Sequence, residues 1–422
     1  MREVLQTVQK PISAKILIPG SKSVSHRALL LAALAEGVSE IHHIQISEDV
    51  RTFVSALSEL GIAVYLEEKS QRVVIAGGNG HFPKKHSVIW CKESGTLLRF
   101  LLAACGGISG AYYFDGALSL RHRPIASLLE ILINQGVTCI PSDAMKLPFT
   151  LITSKPLMGG KIKIDAAKTS QMVSALLMIA PFMHSSLSLQ VENLVSASYV
   201  DITCAMMAEF GVLVERKSST EYKVISGQRY QARNYHVEPD LSTASYFFAA
   251  AAVTGGEVTI PFAHREKTLQ GDSVFLTILE KMGCKIQETS SSLTVKGTLH
   301  LQGIEADMRD CPDLFMTLAA IAPFAKTPTV ITHIGHARLK ESDRLLAMRE
   351  GLEQLGVRVE EGEDWLKIYP STPHGGVIQS HHDHRIAMAF SIVGLRVPDM
   401  IIENSECVAK SCPEFFQLWK NL

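Results

Sequence analysis

Lys22, Ser23 and Arg27 stand at the head of an apolar, small-residue segment, PGSKSVSHRALLLAALAEG (residues 19–37), whose pattern predicts a helix starting at Val24 or Ser25. Similar mixtures head five more such segments: Ser94, Gly95, Thr96 and Arg99; Thr169, Ser170 and Gln171; Ser242 and Thr243; Asp310 and Asp313; Asp383, His384 and Arg385. A helix N-terminus offers free N–H groups and about half a positive charge, so several of them together make an anion site. Hydroxyls and Asp alone would be explained as N-caps, each contributing about 1 kcal/mol, and that is the reading for Ser242 and Thr243. Capping does not explain cations, which the dipole disfavours there by up to about 1 kcal/mol. Lys22, Arg27, Arg99 and Arg385 therefore point to a phosphate or a carboxylate as the ligand.

Further cations open the second helices of the pattern, Arg121 and Arg123 in SLRHRPIASLLEIL and Arg338, Lys340 and Arg344 in ARLKESDRLLAMREGL, while Lys410 precedes the last helix in ECVAKSCPEFF. Glu341 and Asp343 offset part of the second group by ordinary helical pairing. Arg suits a planar, bidentate grip on either anion. Two tempting motifs fail. GSKS is not a phosphate loop, because with Gly20 as its second glycine GxxxxGK[ST] needs Gly at position 15, which is Lys, and Lys at position 21, which is Ser. HHDHR, residues 381–385, is contiguous, whereas metal ligands must converge from one helix face or from several segments, so no metal is expected.

The elements that must position these groups are legible as a repeat. A helical pattern ending in Gly and followed by an alternating strand recurs at Gly61, Gly136, Gly211, Gly283 and Gly356, spaced 75, 75, 72 and 73 residues apart. A left-handed helix cap explains each glycine. The small-residue helices run in phase with them, each after a short strand-like segment, so one unit reads strand, helix, strand, helix, Gly, hairpin. The sixth Gly step would fall beyond residue 422, and the N-terminal REVLQTV supplies the missing strand. The expected architecture is α/β with two similar domains of three units each and a ligand cleft between them. One domain takes residues 19–237; the other is discontinuous, residues 1–18 plus 238–422.

Composition bounds the function. With 41 basic and 42 acidic residues the chain carries no electrostatic footprint for nucleic acid. The eight cysteines form no CxxC pair and fit neither a zinc ribbon nor a disulfide framework. No run of about 18 apolar residues occurs, and the N-terminus lacks an apolar leader. A cytoplasmic, monomeric protein acting on small anions is expected.

Seven segments appear in order across nearly the whole chain: PGSKSVSHRALLLAALAEG, SLRHRP, KTSQMVSALLMIAP, LVSASYVDIT, ARLKESDRL, DHRIAMAF and KSCPEFF. Together they resemble the EPSP synthase family (3-phosphoshikimate 1-carboxyvinyltransferases). The resemblance implies an inverse α/β barrel of βαβαββ-type units. It also implies transfer of the enolpyruvyl group of phosphoenolpyruvate to the 5-hydroxyl of shikimate 3-phosphate, releasing phosphate, without metal or organic cofactor. By resemblance, Lys22, Ser23, Arg27, Thr169, Ser170, Ser196 and Tyr199, with Asp313, His336 and Lys340, would hold shikimate 3-phosphate. Gln171, Arg123, Arg344, Arg385 and Lys410, with Gly95, Thr96 and Arg99, would grip phosphoenolpyruvate. Asp313 and Glu341 are the carboxylates available for acid/base work. Lys22 would stabilise the tetrahedral intermediate and assist as acid, and His384 and Lys410 would steady the departing phosphate. The bland alternatives are a helix cap for Asp313 and a surface charge for Glu341.

Three positions depart from the family pattern: Glu93, His336 and His382 stand where Asn is usual. An anionic Glu93 beside an anionic ligand must point away or pair with Lys92. The sister enzyme acting on UDP-N-acetylglucosamine carries a reactive cysteine before its Arg-Pro, and FDGALSLRHRP has none. RNA 3′-phosphate cyclases use related units but need a basic excess. A non-catalytic phosphoester-binding relative is the third alternative, opposed by the presence of Lys22, Asp313, Glu341, Arg344 and Lys410.

Overall fold

The five repeated glycines all take the left-handed backbone, with φ of +85° at Gly61, +99° at Gly136, +93° at Gly211, +104° at Gly283 and +81° at Gly356. A side chain is strained in that region. Each glycine closes one helix and turns the chain into a two-stranded hairpin.

The computed structural model describes residues 1–422, and the chain divides into two units: Lys22–Val237, and Met1–Ser21 with Glu238–Leu422. The unit Lys22–Val237 contains helices α1 (Lys22–Leu34), α2 (Glu48–Glu59), α3 (Gly95–Gly107), α4 (Leu118–Arg121), α5 (Ala126–Asn134), α6 (Gln171–Ile179) and α7 (Ala197–Glu209). The other contains α8 (Leu241–Thr254), α9 (Val274–Lys281), α10 (Phe315–Ile321), α11 (Arg344–Gln354), α12 (His384–Gly394) and α13 (Phe415–Trp419).

Each unit is built on three small sheets. In one of them Gly160–Asp165 runs parallel to Leu187–Glu192, which pairs antiparallel with Glu221–Val224, which pairs antiparallel with Val214–Arg216. The parallel pair requires a crossover, and α6 supplies it. Five sheets have four strands; the sixth has three, because Arg2–Val4 alone joins Met400–Glu403 where a hairpin stands elsewhere.

Two strands do not stay with the helix they precede. Ser13–Lys15, just before α1, pairs parallel with Glu257–Pro261 in the discontinuous unit, while Asn234–His236, just before α8, pairs parallel with Glu36–His42 in the unit Lys22–Val237. Each edge is satisfied by the strand from the other half of the sequence.

The helices sort into two kinds for a physical reason. In α8, α10 and α12 every residue is buried, and α3 and α6 are almost as enclosed, as helices apolar all round must be. Within each unit they pack on one another, α3 against α6 and α10 against α8 and α12. The flanking helix α2 instead buries only one face, including Val50, Phe53, Ala56 and Leu57.

Some local expectations are corrected. The first helix begins at Lys22, so Lys22 and Ser23 lie within its first turn. Ser242 and Thr243 do not cap α8; Asp240 does, accepting the Thr243 N–H at 2.7 Å, and Ser242 Oγ donates to the buried Asp272 at 2.8 Å. Asp313 is no cap either, since α10 starts after Leu314 without a side-chain cap bond. In HHDHR, His381 and His382 occupy left-handed positions, Asp383 caps α12 and His384 is buried in its first turn. No group of three His, Cys, Asp or Glu residues is arranged to hold a metal ion. All eight cysteines are free, and no helix is long and apolar enough to cross a membrane.

Candidate active site

The predicted anion-binding residues of the unit Lys22–Val237 gather at the heads of its enclosed helices. Lys22 Nζ lies 3.8 Å from Asp49 Oδ2. Arg27, one turn into α1, is fully buried. Its Nε donates to Thr203 Oγ1 at 2.7 Å, Nη1 to the Ser23 carbonyl at 2.9 Å, and Nη2 to the Tyr199 carbonyl at 2.8 Å and Ser174 Oγ at 3.3 Å. Burial lowers its pKa to about 10, which still leaves it charged at neutral pH.

Around Gly95 a second cluster forms. Ser94 caps α3 by accepting the Leu97 N–H. Arg99 donates to the carbonyls of Pro124 and Gly95 and, at 2.7 Å, to Gln171 Oε1, while Gln171 Nε2 donates to Thr96 Oγ1 at 3.0 Å. A Cβ placed on Gly95 would come within 2.7 Å of an Nη1 of both Arg99 and Arg123. Two like charges meeting beside a backbone that admits no side chain are well suited to one anion. Thr169 Oγ1 accepts the Gln171 N–H at the start of α6, and Ser196 heads α7 at a φ of 55°. Arg121, by contrast, is spent on Asp115 at 2.8 Å.

The discontinuous unit carries the carboxylates. Asp313 accepts from Arg344 Nη1 at 2.7 Å and Lys340 Nζ at 3.4 Å, and its Oδ2 lies 2.9 Å from Arg385 Nη2. Burial pushes its pKa up, yet Arg385, Lys340 and Arg344 outweigh that and hold the carboxyl well below the usual range. It is an anion at neutral pH, the protonation state a proton acceptor needs, and the cations that hold it so also weaken it as a base.

Arg344 is the hub. Besides Asp313 it donates to Glu341 Oε2 at 2.8 Å and, through Nε, to Asp383 Oδ2 at 2.8 Å. Burial opposes its charge, but the carboxylates of Asp383, Glu341 and Asp313 prevail and raise its pKa. Arg385 Nη1 also donates to Tyr246 Oη at 3.4 Å. His384 Nδ1 lies 3.5 Å from Asp383 Oδ1, and Lys410 is buried at the end of a 3₁₀ turn, Ser405–Lys410. His336 is held neutral: burial, with Lys340 beside it, lowers its pKa to about 4.

Sequence reasoning named Asp383 as a helix head yet left it out of the site. Its place immediately before His384 and Arg385 was the available signal. Asp49, Tyr246, Thr203 and Ser174 were missed altogether, because only tertiary contacts connect them to the predicted residues.

The family model for EPSP synthase (3-phosphoshikimate 1-carboxyvinyltransferase) matches residues 6–419. The chain belongs to the EPSP synthase family. It is 43% identical over 414 residues to the 3-phosphoshikimate 1-carboxyvinyltransferase of Nostoc punctiforme, covering 98% of this chain and 97% of the relative. The chloroplastic 3-phosphoshikimate 1-carboxyvinyltransferase of Arabidopsis thaliana is 37% identical, covering 99% of this chain and 84% of that one. Among solved structures, EPSP synthase from Acinetobacter baumannii superposes with a TM-score of 0.83 at 26% identity, covering 99% of this chain and 97% of that one. The enolpyruvyl transferase NikO from Streptomyces tendae shares the fold, with a TM-score of 0.77 at 16% identity, covering 100% of this chain and 97% of that one.

The departures from the EPSP synthase family pattern can now be placed. Glu93 is solvent-exposed, and Lys92 pairs with Glu48 at 2.7 Å. His382 is likewise exposed, whereas His336 sits among the charges of the Asp313 cluster.

Proposed function

We propose that this EPSP synthase family member transfers the enolpyruvyl group of phosphoenolpyruvate to the 5-hydroxyl of shikimate 3-phosphate, with the residues described above in the following roles. Lys22, Ser23, Thr169, Ser170, Ser196 and Tyr199 hold the phosphorylated ring, with His336 and Lys340 completing its contacts. Gly95, Thr96, Arg99, Arg123 and Gln171 receive phosphoenolpyruvate, and Arg385 and Lys410 add charge. The observation that carries the assignment is Asp313, a largely enclosed carboxylate kept ionised by three cations.

An ionised Asp313 takes the proton of the 5-hydroxyl as its oxygen bonds to C2 of phosphoenolpyruvate. Lys22, assisting as acid, gives a proton to the methylene carbon in the same half-reaction, and the tetrahedral intermediate forms. Elimination returns a proton from the new methyl group to Lys22 and breaks the C2–O bond to phosphate, which leaves with the bonding pair, takes up the proton held by Asp313 and is steadied by His384 and Lys410. Glu341, hydrogen-bonded to Arg344, is the second carboxylate for these transfers. The chemistry asks for no redox partner. The same reading makes the protein a cytoplasmic monomer in the route to aromatic amino acids.

Phosphate release from purified protein given shikimate 3-phosphate and phosphoenolpyruvate, with each omitted in turn and with EDTA present, tests this. Release that requires both substrates and ignores the chelator is expected. Binding of shikimate 3-phosphate without release would instead identify a phosphoester-binding relative that has lost the chemistry.

A further inference from the structure

Arg27 was expected to grip an anion directly, but its guanidinium is committed to the protein. Its hydrogen bonds to Thr203, Ser23, Tyr199 and Ser174 use four of the five N–H donors of the group. No carboxylate is among these partners. The charge sits 5.3 Å from the centre of the Phe100 ring and is opposed by burial, so it remains un-neutralised inside the unit.

The acceptors lie directly behind the residues assigned to the ring phosphate. Two are the backbone carbonyls of Ser23 and Tyr199 themselves, and Ser174 lies one turn along α6 from Ser170, whose carbonyl accepts the Ser174 N–H at 3.1 Å. Arg27 therefore ties α1, α6 and α7 together at their substrate-facing ends. What fixes the guanidinium is a pair of buried hydroxyls: Thr203 Oγ1 accepts Nε–H and lies 2.8 Å from Ser174 Oγ and 2.9 Å from the Tyr199 carbonyl. Neither hydroxyl has a role in the chemistry above.

We infer that Thr203 and Ser174 are positioning residues for shikimate 3-phosphate, acting through Arg27 to fix the Ser23 and Tyr199 backbone and to aim an un-neutralised charge at the ring phosphate. This rests on the substrate assignment just given. The neutral character of the pair is what matters: a carboxylate would hold Arg27 as firmly and cancel the charge.

Steady-state kinetics of the full chain test the inference. Thr203→Val keeps the shape of the side chain and removes the acceptor, so KM for shikimate 3-phosphate is expected to rise about tenfold, the worth of one hydrogen bond to a charged group. KM for phosphoenolpyruvate and kcat should stay within about twofold. Thr203→Ser should restore wild-type values, and Ser174→Ala, which loses a longer bond, should raise the same KM about threefold. Unchanged KM values in Thr203→Val, or an equal change for both substrates, would overturn the positioning role. Should Thr203→Val fail to fold, calorimetric binding of shikimate 3-phosphate to Ser174→Ala decides: weaker binding supports the role, and unaltered affinity overturns it. A wild-type protein that releases no phosphate sinks the substrate reading itself, whereas an active wild type matched by Thr203→Val sinks only this inference.

Discussion

Arg27 and Arg344 are both buried arginines near helix starts, yet their surroundings are opposite. Arg27 is held by two hydroxyls and two carbonyls; Arg344 is held by Asp313, Glu341 and Asp383. The first arrangement keeps a positive charge available to a ligand. The second spends the charge on three carboxylates and helps to hold one of them, Asp313, ionised. Arg99 follows the first pattern in its bonds to Pro124, Gly95 and Gln171. On the proposed roles, one residue type serves substrate attraction in one unit and pKa control in the other, and the acceptors make the difference.

The largest effect should come from the group that Arg344 serves. Asp313→Asn keeps the shape and removes the base, so kcat for phosphate release should fall about 10³-fold, within the range of general-base contributions. A loss under tenfold would mean that holding Asp313 ionised is incidental to turnover.

Removing each arginine in turn tests the contrast by stability. Arg344→Met takes the shared cation away from Asp313, Glu341 and Asp383 and should cost about 3–5 kcal/mol in urea unfolding, as breaking a buried ion pair does. Arg27→Met leaves only neutral acceptors unsatisfied, at about 1–3 kcal/mol. Equal costs would erase the distinction drawn here. A smaller change tests the neutral pattern at Arg99: Gly95→Ala drives a methyl group to within 2.7 Å of two guanidiniums and should raise KM for phosphoenolpyruvate by roughly tenfold, about 1.4 kcal/mol, while sparing kcat.

The contrast also explains what the sequence disclosed. The glycine spacing revealed the repeat because a left-handed cap is a local demand, satisfied within a few residues. The polar helix heads were legible for the same reason. The sheet edges that Ser13–Lys15 and Asn234–His236 complete were not, although the expected bounds 1–18 plus 238–422 and 19–237 already assign each strand to one of the two domains; a three-residue strand carries no record of its partner. Nor were the acceptors of Arg27, because Thr203 and Ser174 lie 176 and 147 residues away in sequence. Residue types announced an anion site; only tertiary contacts decide which cations keep their charge.

His336 offers the finest test, because it stands within the carboxylate-bearing cluster and yet is neutral. Burial and Lys340 lower its pKa from 6.5 to about 4, overriding the opposite pull of Asp313. Between those values the unfolded chain binds a proton that the folded protein does not, so this group's contribution to stability is complete above pH 6.5 and declines as pH falls toward about 4. His336→Asn removes that dependence while retaining hydrogen-bonding capacity. The difference in urea midpoint between wild type and variant should therefore shift against the wild type as pH drops through this window. A constant difference would mean that His336 titrates as it does in the unfolded chain. Lys340 would then have no hold on it, and the cations around Asp313 would be directed at that carboxylate alone.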